Sequence, residues 1–333
     1  MKRTNHKKQV FLFPGTWVFV LLAFGWCWLS GCTSETESTD PGVTQDYQTG
    51  KNYYTTEVDG DVREYYVHVP SGYNPNGPTP VVFMLHGTSG DGERFYKKSG
   101  WKEVGEDENI LTVYPSSWRY CIIDGGKVKN TTKWHIYPGS FEFCAGEKPR
   151  DDIKFLRQVI AELRERFNVD RKRIYLAGFS SGGAMAGRCA VEMSDVLAAV
   201  VEASGTLPKD TTFVPRRKLP VMFQLGNSDD LWLGGPNVSI PMGAFDSLLS
   251  GHFIFNGLVS THVNTFGMAT TYTMSGNPNT ALIATYSAEP PDPTREFKLV
   301  LIKGLEHNYP NGNNHPLKGA KIHWDWMKQF TLP

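Results

Sequence analysis

Hydrophobic and polar positions first fall into a regular pattern near Tyr53. Tyr53–Val58 and Arg63–Val69 alternate aromatic or β-branched residues with polar ones and end at Pro70-Ser71-Gly72. That period of two predicts an antiparallel hairpin. Val81-Val82-Phe83-Met84-Leu85 is a continuous apolar run bounded by Pro80 and Gly87, which predicts a strand buried on both faces of a sheet. Ile110–Tyr114, Arg173–Phe179, Ala198–Ala203, Val221–Leu225 and Lys298–Ile302 read the same way. Between them, Ile153, Leu156, Val159, Ile160, Leu163 and Phe167 recur at helical spacing after Asp151. A helix rich in small residues follows from Ser181 to about Met193, and a last one runs from about Gly319 to Phe330. Strands alternating with helices predict an α/β fold, a mostly parallel sheet with helices on both faces. Two stretches resist this reading. Residues 116–148 are expected to form a long loop, and residues 232–297 a cap or a set of surface loops.

The first 32 residues carry a different pattern. Lys2, Arg3, Lys7 and Lys8 precede an apolar run from Val10 to Trp28, which ends at Leu29-Ser30-Gly31-Cys32. Positive start, apolar middle and small residues before the end make an export signal. The closing cysteine resembles the lipobox of bacterial lipoproteins, which implies lipidation of Cys32 and anchoring to the cell envelope, at the cell surface or in the periplasm. Residues 33–50 are polar and read as a tether. The 283 residues from position 51 to 333 are enough for one large catalytic domain.

The balance of 34 basic against 34 acidic residues gives no electrostatic footprint for nucleic acid. Cys121 and Cys144 are candidates for a disulfide, which an exported protein can keep, while Cys189 falls on a helix face expected to be buried. Paired Cys-x-x-Cys or His-x-x-x-His spacing is lacking, so no metal site is expected.

The candidate chemistry centres on Gly178-Phe179-Ser180-Ser181-Gly182, a G-x-S-x-G pattern between a buried strand and a helix. So tight a turn strains the serine backbone and needs glycines where side chains would clash. A serine hydroxyl becomes a useful nucleophile only when an imidazole takes its proton, and a carboxylate orients that imidazole. The order along the chain should be nucleophile, acid, histidine. His307 follows the Lys298–Ile302 strand directly, which favours it as the base over His315, farther along the loop, and His323, inside the last helix. Asp229 and Asp230 both follow the Val221–Leu225 strand, and position alone leaves the choice of acid open. The oxyanion hole is expected from the amides of Ser181 and Thr88, with His86 holding the latter's loop in shape. Trp118, Trp134, Phe141, Trp232 and Tyr309 could line an acyl pocket or a sugar platform, although packing is the commoner role of such aromatics.

At Leu85-His86-Gly87, Gly178-Phe179-Ser180-Ser181-Gly182-Gly183-Ala184-Met185, Gly226-Asn227-Ser228-Asp229 and His307-Asn308-Tyr309-Pro310 the chain resembles the poly(3-hydroxybutyrate) depolymerase/feruloyl esterase family. The resemblance runs over about residues 55–330. It implies an α/β-hydrolase fold and a catalytic triad of Ser180, Asp229 and His307, Asp229 being the acid on this ground. Around the histidine the family commonly has Gly-Gly-His-Trp-Pro-like residues, where this chain has Leu305-Glu306-His307-Asn308-Tyr309. The implied activity is hydrolysis of carboxylic esters through an acyl-enzyme, without a cofactor. Feruloyl or acetyl esters of plant cell-wall polysaccharide are the first substrate expected and hydroxyalkanoate oligomers the second. The same triad would also serve a serine peptidase of the prolyl-oligopeptidase type. A non-catalytic binding lipoprotein would keep the fold with an inactive site.

Overall fold

The hairpin expected at the start of the patterned region consists of β1 (Gly50–Val58) and β2 (Asp61–Val69), which turn through Asp59 and Gly60, both at positive φ. A computed structural model describes residues 46–333, His252 excepted. The expected export signal, the lipobox Cys32 and most of the polar tether therefore lie outside the described residues.

After the hairpin come β3 (Thr79–Leu85), α1 (Gly92–Lys98), α2 (Trp101–Glu108) and β4 (Leu111–Pro115). Then follow β5 (Arg119–Asp124), β6 (Lys127–Thr132), β7 (Glu142–Phe143), α3 (Asp152–Arg166), β8 (Val169–Phe179) and α4 (Ser181–Glu192). The chain continues through β9 (Ala199–Ala203), β10 (Val221–Gly226), α5 (Asp230–Leu233), α6 (Phe245–Gly251) and α7 (Phe253–Phe266). It ends with β11 (Met268–Asn277), β12 (Ala281–Ala288), β13 (Glu296–Ile302) and α8 (Gly319–Met327).

Ten strands form one sheet in the order β1-β2-β4-β3-β8-β9-β10-β13-β12-β11. The six strands from β4 to β13 run parallel, and antiparallel pairs flank them on both sides. Alternation along each strand divides the core into two faces. Val81, Phe83 and Leu85 of β3 join the cluster that α3, α4 and α7 cover, while Val82 and Met84 join the one under α1, α2 and α8. This is why the central strands read as unbroken apolar runs. Each fully buried Val or Phe in them contributes about 2 kcal/mol.

The order of the strands also positions the site. From β3 the chain moves to β4 on one side, then returns to β8 on the other and proceeds through β9 and β10 to β13. The winding therefore reverses between β3 and β8. Open α/β sheets bind ligands in the crevice beyond the carboxyl ends of the strands at such a reversal.

Both unpatterned stretches are more regular than expected. Residues 116–148 are not a plain loop but carry a second, three-stranded sheet in the order β6-β5-β7. Its hairpin turns through Gly125 and Gly126, both at positive φ, and Cys121 is joined to Cys144 by a disulfide. No apolar alternation marks β6 in the sequence, because residues 127–130 are exposed and only Thr131 and Thr132 are buried. The sheet is tied down by Arg63, which donates to Asp152 Oδ1 at 2.7 Å while Asp152 Oδ2 accepts the His135 amide at 2.7 Å. Residues 232–297 form neither a cap nor only loops. β11 and β12 extend the main sheet, and α7 lays Phe255, Leu258, Val263 and Phe266 on one of its faces. Among the described residues no helix is long and apolar enough to cross a membrane.

Candidate active site

Ser180 stands between β8 and α4 with φ 55° and ψ −120°, a backbone conformation that costs L residues about 1–3 kcal/mol. Its neighbours make that turn possible. A side chain on Gly178 would meet the Gly182 carbonyl at 2.0 Å, and one on Gly205 would meet the Ser180 carbonyl at 1.8 Å. Backbone is packed against backbone at both points, and only glycine fits.

From this turn a continuous line of hydrogen bonds runs to the ends of two further strands. The Ser180 hydroxyl lies 2.9 Å from His307 Nε2, and His307 Nδ1 lies 2.9 Å from both carboxylate oxygens of Asp229. The carboxylate can only accept, so Nδ1 donates, and Nε2 is left to accept the Ser180 proton. Asp229 is fully buried, and the side chain of His307 is 15% exposed. Asp229 also caps α5, its Oδ1 accepting the Trp232 amide at 3.1 Å. The two neighbouring aspartates take different places. Asp229 faces the imidazole, whereas Asp230 begins α5 and lines the cleft next to it.

The two competing histidines are occupied elsewhere. His315 is half-buried, with Nε2 donating to the Lys303 carbonyl at 3.0 Å and Nδ1 accepting the Leu317 amide. His323 is buried in α8 between Tyr309 and Gln224. Trp101 Nε1 donates to the Tyr309 hydroxyl, which donates to His323 Nδ1, and His323 Nε2 donates to Gln224 Oε1. Burial pushes its imidazole down to about 3, which keeps it neutral in this chain of donors. Tyr309 therefore belongs to the support beneath the His307 loop and not to a substrate pocket.

Opposite the serine, the loop after β3 carries His86, Gly87 and Thr88. A side chain on Gly87 would come within 3.1 Å of Ser180 Cβ, so this loop packs directly on the turn. His86 fixes its shape. Nδ1 donates to the Gly87 carbonyl at 2.7 Å, Nε2 accepts the Ser117 amide at 2.9 Å, and Trp134 Nε1 donates to the His86 carbonyl. Burial pushes its imidazole down to about 4. Among the described residues the amides of Thr88 and Ser181 have no backbone acceptor, and Ser181 opens α4, where helix amides point at the serine.

The other aromatics divide between packing and the rim. Trp134 is fully buried, Trp118 lies under the Arg150 guanidinium at 4.7 Å, and Phe141 packs on Phe143. Trp232 is half-buried, packs at a tilt against Phe223 and donates through Nε1 to the Ser204 carbonyl. Asn227 is a positioning residue to which no pattern in the sequence points. Its Oδ1 accepts the Gly304 amide at 2.6 Å and its Nδ2 donates to the Ile240 carbonyl at 2.9 Å, binding the acid loop to the histidine loop. It stands in the Gly226-Asn227-Ser228-Asp229 segment, where an amide two residues before the acid is the one signal in the sequence.

Residues 57–236 match the family model described as "Putative esterase". Feruloyl esterase B of Piromyces equi is 24% identical over 81% of this chain and 46% of its own length. A bifunctional acetylxylan esterase/xylanase of Neocallimastix patriciarum is 27% identical over 82% of this chain and 34% of its own. The chain thus spans less than half the length of these curated relatives. The solved acetyl xylan esterase of Aspergillus awamori shares the fold, with a TM-score of 0.53 and 13% identity over 83% of this chain and 99% of that one. With an α/β-hydrolase fold and a match across most of its parallel sheet, the chain belongs to this esterase family.

Proposed function

We propose that the protein hydrolyses carboxylic esters through an acyl-enzyme on Ser180. His307 Nε2 takes the hydroxyl proton as Oγ attacks the ester carbonyl, and Asp229 stabilises the imidazolium that forms. The oxyanion receives the amides of Thr88 and Ser181 in a site where preorganised donors are worth about 3 kcal/mol each. Collapse breaks the bond to the alcohol, which takes the proton back from His307. Water, activated by the same imidazole, then attacks the acyl carbonyl and releases the acid. The observation that carries this reading is the 2.9 Å spacing from Ser180 Oγ to His307 and from His307 to Asp229, centred on a serine held in a strained turn. No step calls on a metal or organic cofactor.

The substrate reading follows from kinship. Two relatives are named for feruloyl and acetylxylan ester hydrolysis, and we assign this protein to feruloyl or acetyl esters of plant cell-wall polysaccharide. The test is a panel of methyl ferulate, acetylated xylan and hydroxybutyrate oligomers, run on the protein and on Ser180→Ala. Turnover of one of the first two should fall at least about a thousandfold in the variant while the fold persists. Cleavage of hydroxybutyrate oligomers alone would reassign the substrate, and full activity in Ser180→Ala would end the reading.

A further inference from the structure

Beside His307 lies a cleft of about 490 Å³ whose wall includes the imidazole but not Ser180. Ser228, Asp230, Asn237, Ser239, Glu306 and Asn308 supply most of the remaining surface. Among the described residues no lysine, arginine, phenylalanine, tyrosine or tryptophan lines it, and neither Asp230 nor Glu306 is engaged in an ion pair. The position gives the cleft a role in the reaction. The acyl carbon must bond to Ser180 Oγ, outside the cleft, whereas the departing alcohol must take its proton from His307, which forms part of the wall. The alcohol is the portion of the ester directed there.

We propose that this cleft is the leaving-alcohol subsite and that Asp230 and Glu306 make it selective for neutral polyhydroxylated alcohols against anionic ones. Hydroxyl, amide and carboxylate groups match the donors and acceptors of a neutral sugar. Two carboxylates without a cation, Asp230 half-buried and Glu306 exposed, repel a uronate or a hydroxyacid end group through water, so the effect is largest at low salt. The inference rests on the ester-hydrolase reading and adds which alcohols that site accepts.

The test uses two esters that share one acyl group and one ring position, on methyl glucoside and on methyl glucuronoside. The acyl group is one that the protein cleaves from 4-nitrophenol. The protein should favour the neutral ester by about tenfold in kcat/KM at low salt, and the preference should shrink at about 0.5 M NaCl. Asp230→Asn with Glu306→Gln should raise kcat/KM on the glucuronoside about tenfold, a gain that damage to the fold does not produce. Equal rates on the two esters, or a preference that neither salt nor the double variant reduces, would overturn the proposal. In those outcomes the 4-nitrophenyl ester is still cleaved and only the subsite is lost. Cleavage of the 4-nitrophenyl ester that persists in Ser180→Ala would instead strike the hydrolase reading itself.

Discussion

At Ser180 the chain accepts a strained φ of 55° to present one hydroxyl, and the residues around it carry the consequence. In the proposed reaction the imidazole of His307 is useful only in the orientation that Asp229 gives it. Asp229→Asn removes the charge and puts an NH2 donor where a carboxylate oxygen accepted, which favours the wrong imidazole tautomer, and should lower kcat about 10³- to 10⁴-fold. His315→Ala, in the same loop but bonded to Lys303, should leave ester turnover within about threefold. Comparing the two variants on one aryl ester checks the assignment, and the reverse pattern would place the base at His315. His86 and His323 give a second prediction. Burial holds their imidazoles down to about 4 and about 3, so below the ordinary value of 6.5 the unfolded chain binds protons that the folded chain refuses. Stability present above 6.5 should therefore be lost as pH falls through that window, by on the order of 4 kcal/mol by about pH 4.5. The carboxyl of Asp152, pushed up by burial, works in the opposite sense. Denaturant midpoints that stay level or rise between pH 6.5 and 4.5 would contradict this account.

At the scale of elements, the disulfide offers the sharpest test. Cys121 and Cys144 are 23 residues apart and close the small sheet on itself, worth about 3 kcal/mol of chain entropy. Cys121→Ser with Cys144→Ser should lower the thermal midpoint by several degrees, and an unchanged midpoint would remove the sheet from the cooperative unit. This sheet also marks the limit of what patterning conveys. β3, β8 and β10 were legible because both faces are buried, and the turn at Ser180 because its glycines are demanded by backbone contact. β6 is polar and exposed, and its one local signal was the Gly125-Gly126 turn. β11, with Thr270, Thr271 and Thr273–Asn277 facing outward or half-exposed, is held at the sheet edge by pairing with β12 and not by its own apolar content. Of the site, Ser180, His307 and the aspartate pair were visible as positions after strands. The bonding of Asn227 to Gly304 and Ile240 was not, because it joins segments far apart in sequence.

At the scale of the molecule, one property of the sheet unites these details. Four of its parallel strands end on the same edge: β3 leads to Gly87 and Thr88, β8 to Ser180, β10 to Asp229 and β13 to His307. No single segment contains the site. It exists only when the sheet is assembled, which ties activity to cooperative folding. The central claim is that the Ser180 hydroxyl, activated through His307, is the nucleophile. Its most direct test is reaction with a fluorophosphonate followed by peptide mass mapping. The account predicts a single adduct on Ser180, absent in Ser180→Ala and formed at least about a hundredfold more slowly in His307→Ala. An adduct on another residue, or labelling of Ser180 at an undiminished rate without His307, would contradict it.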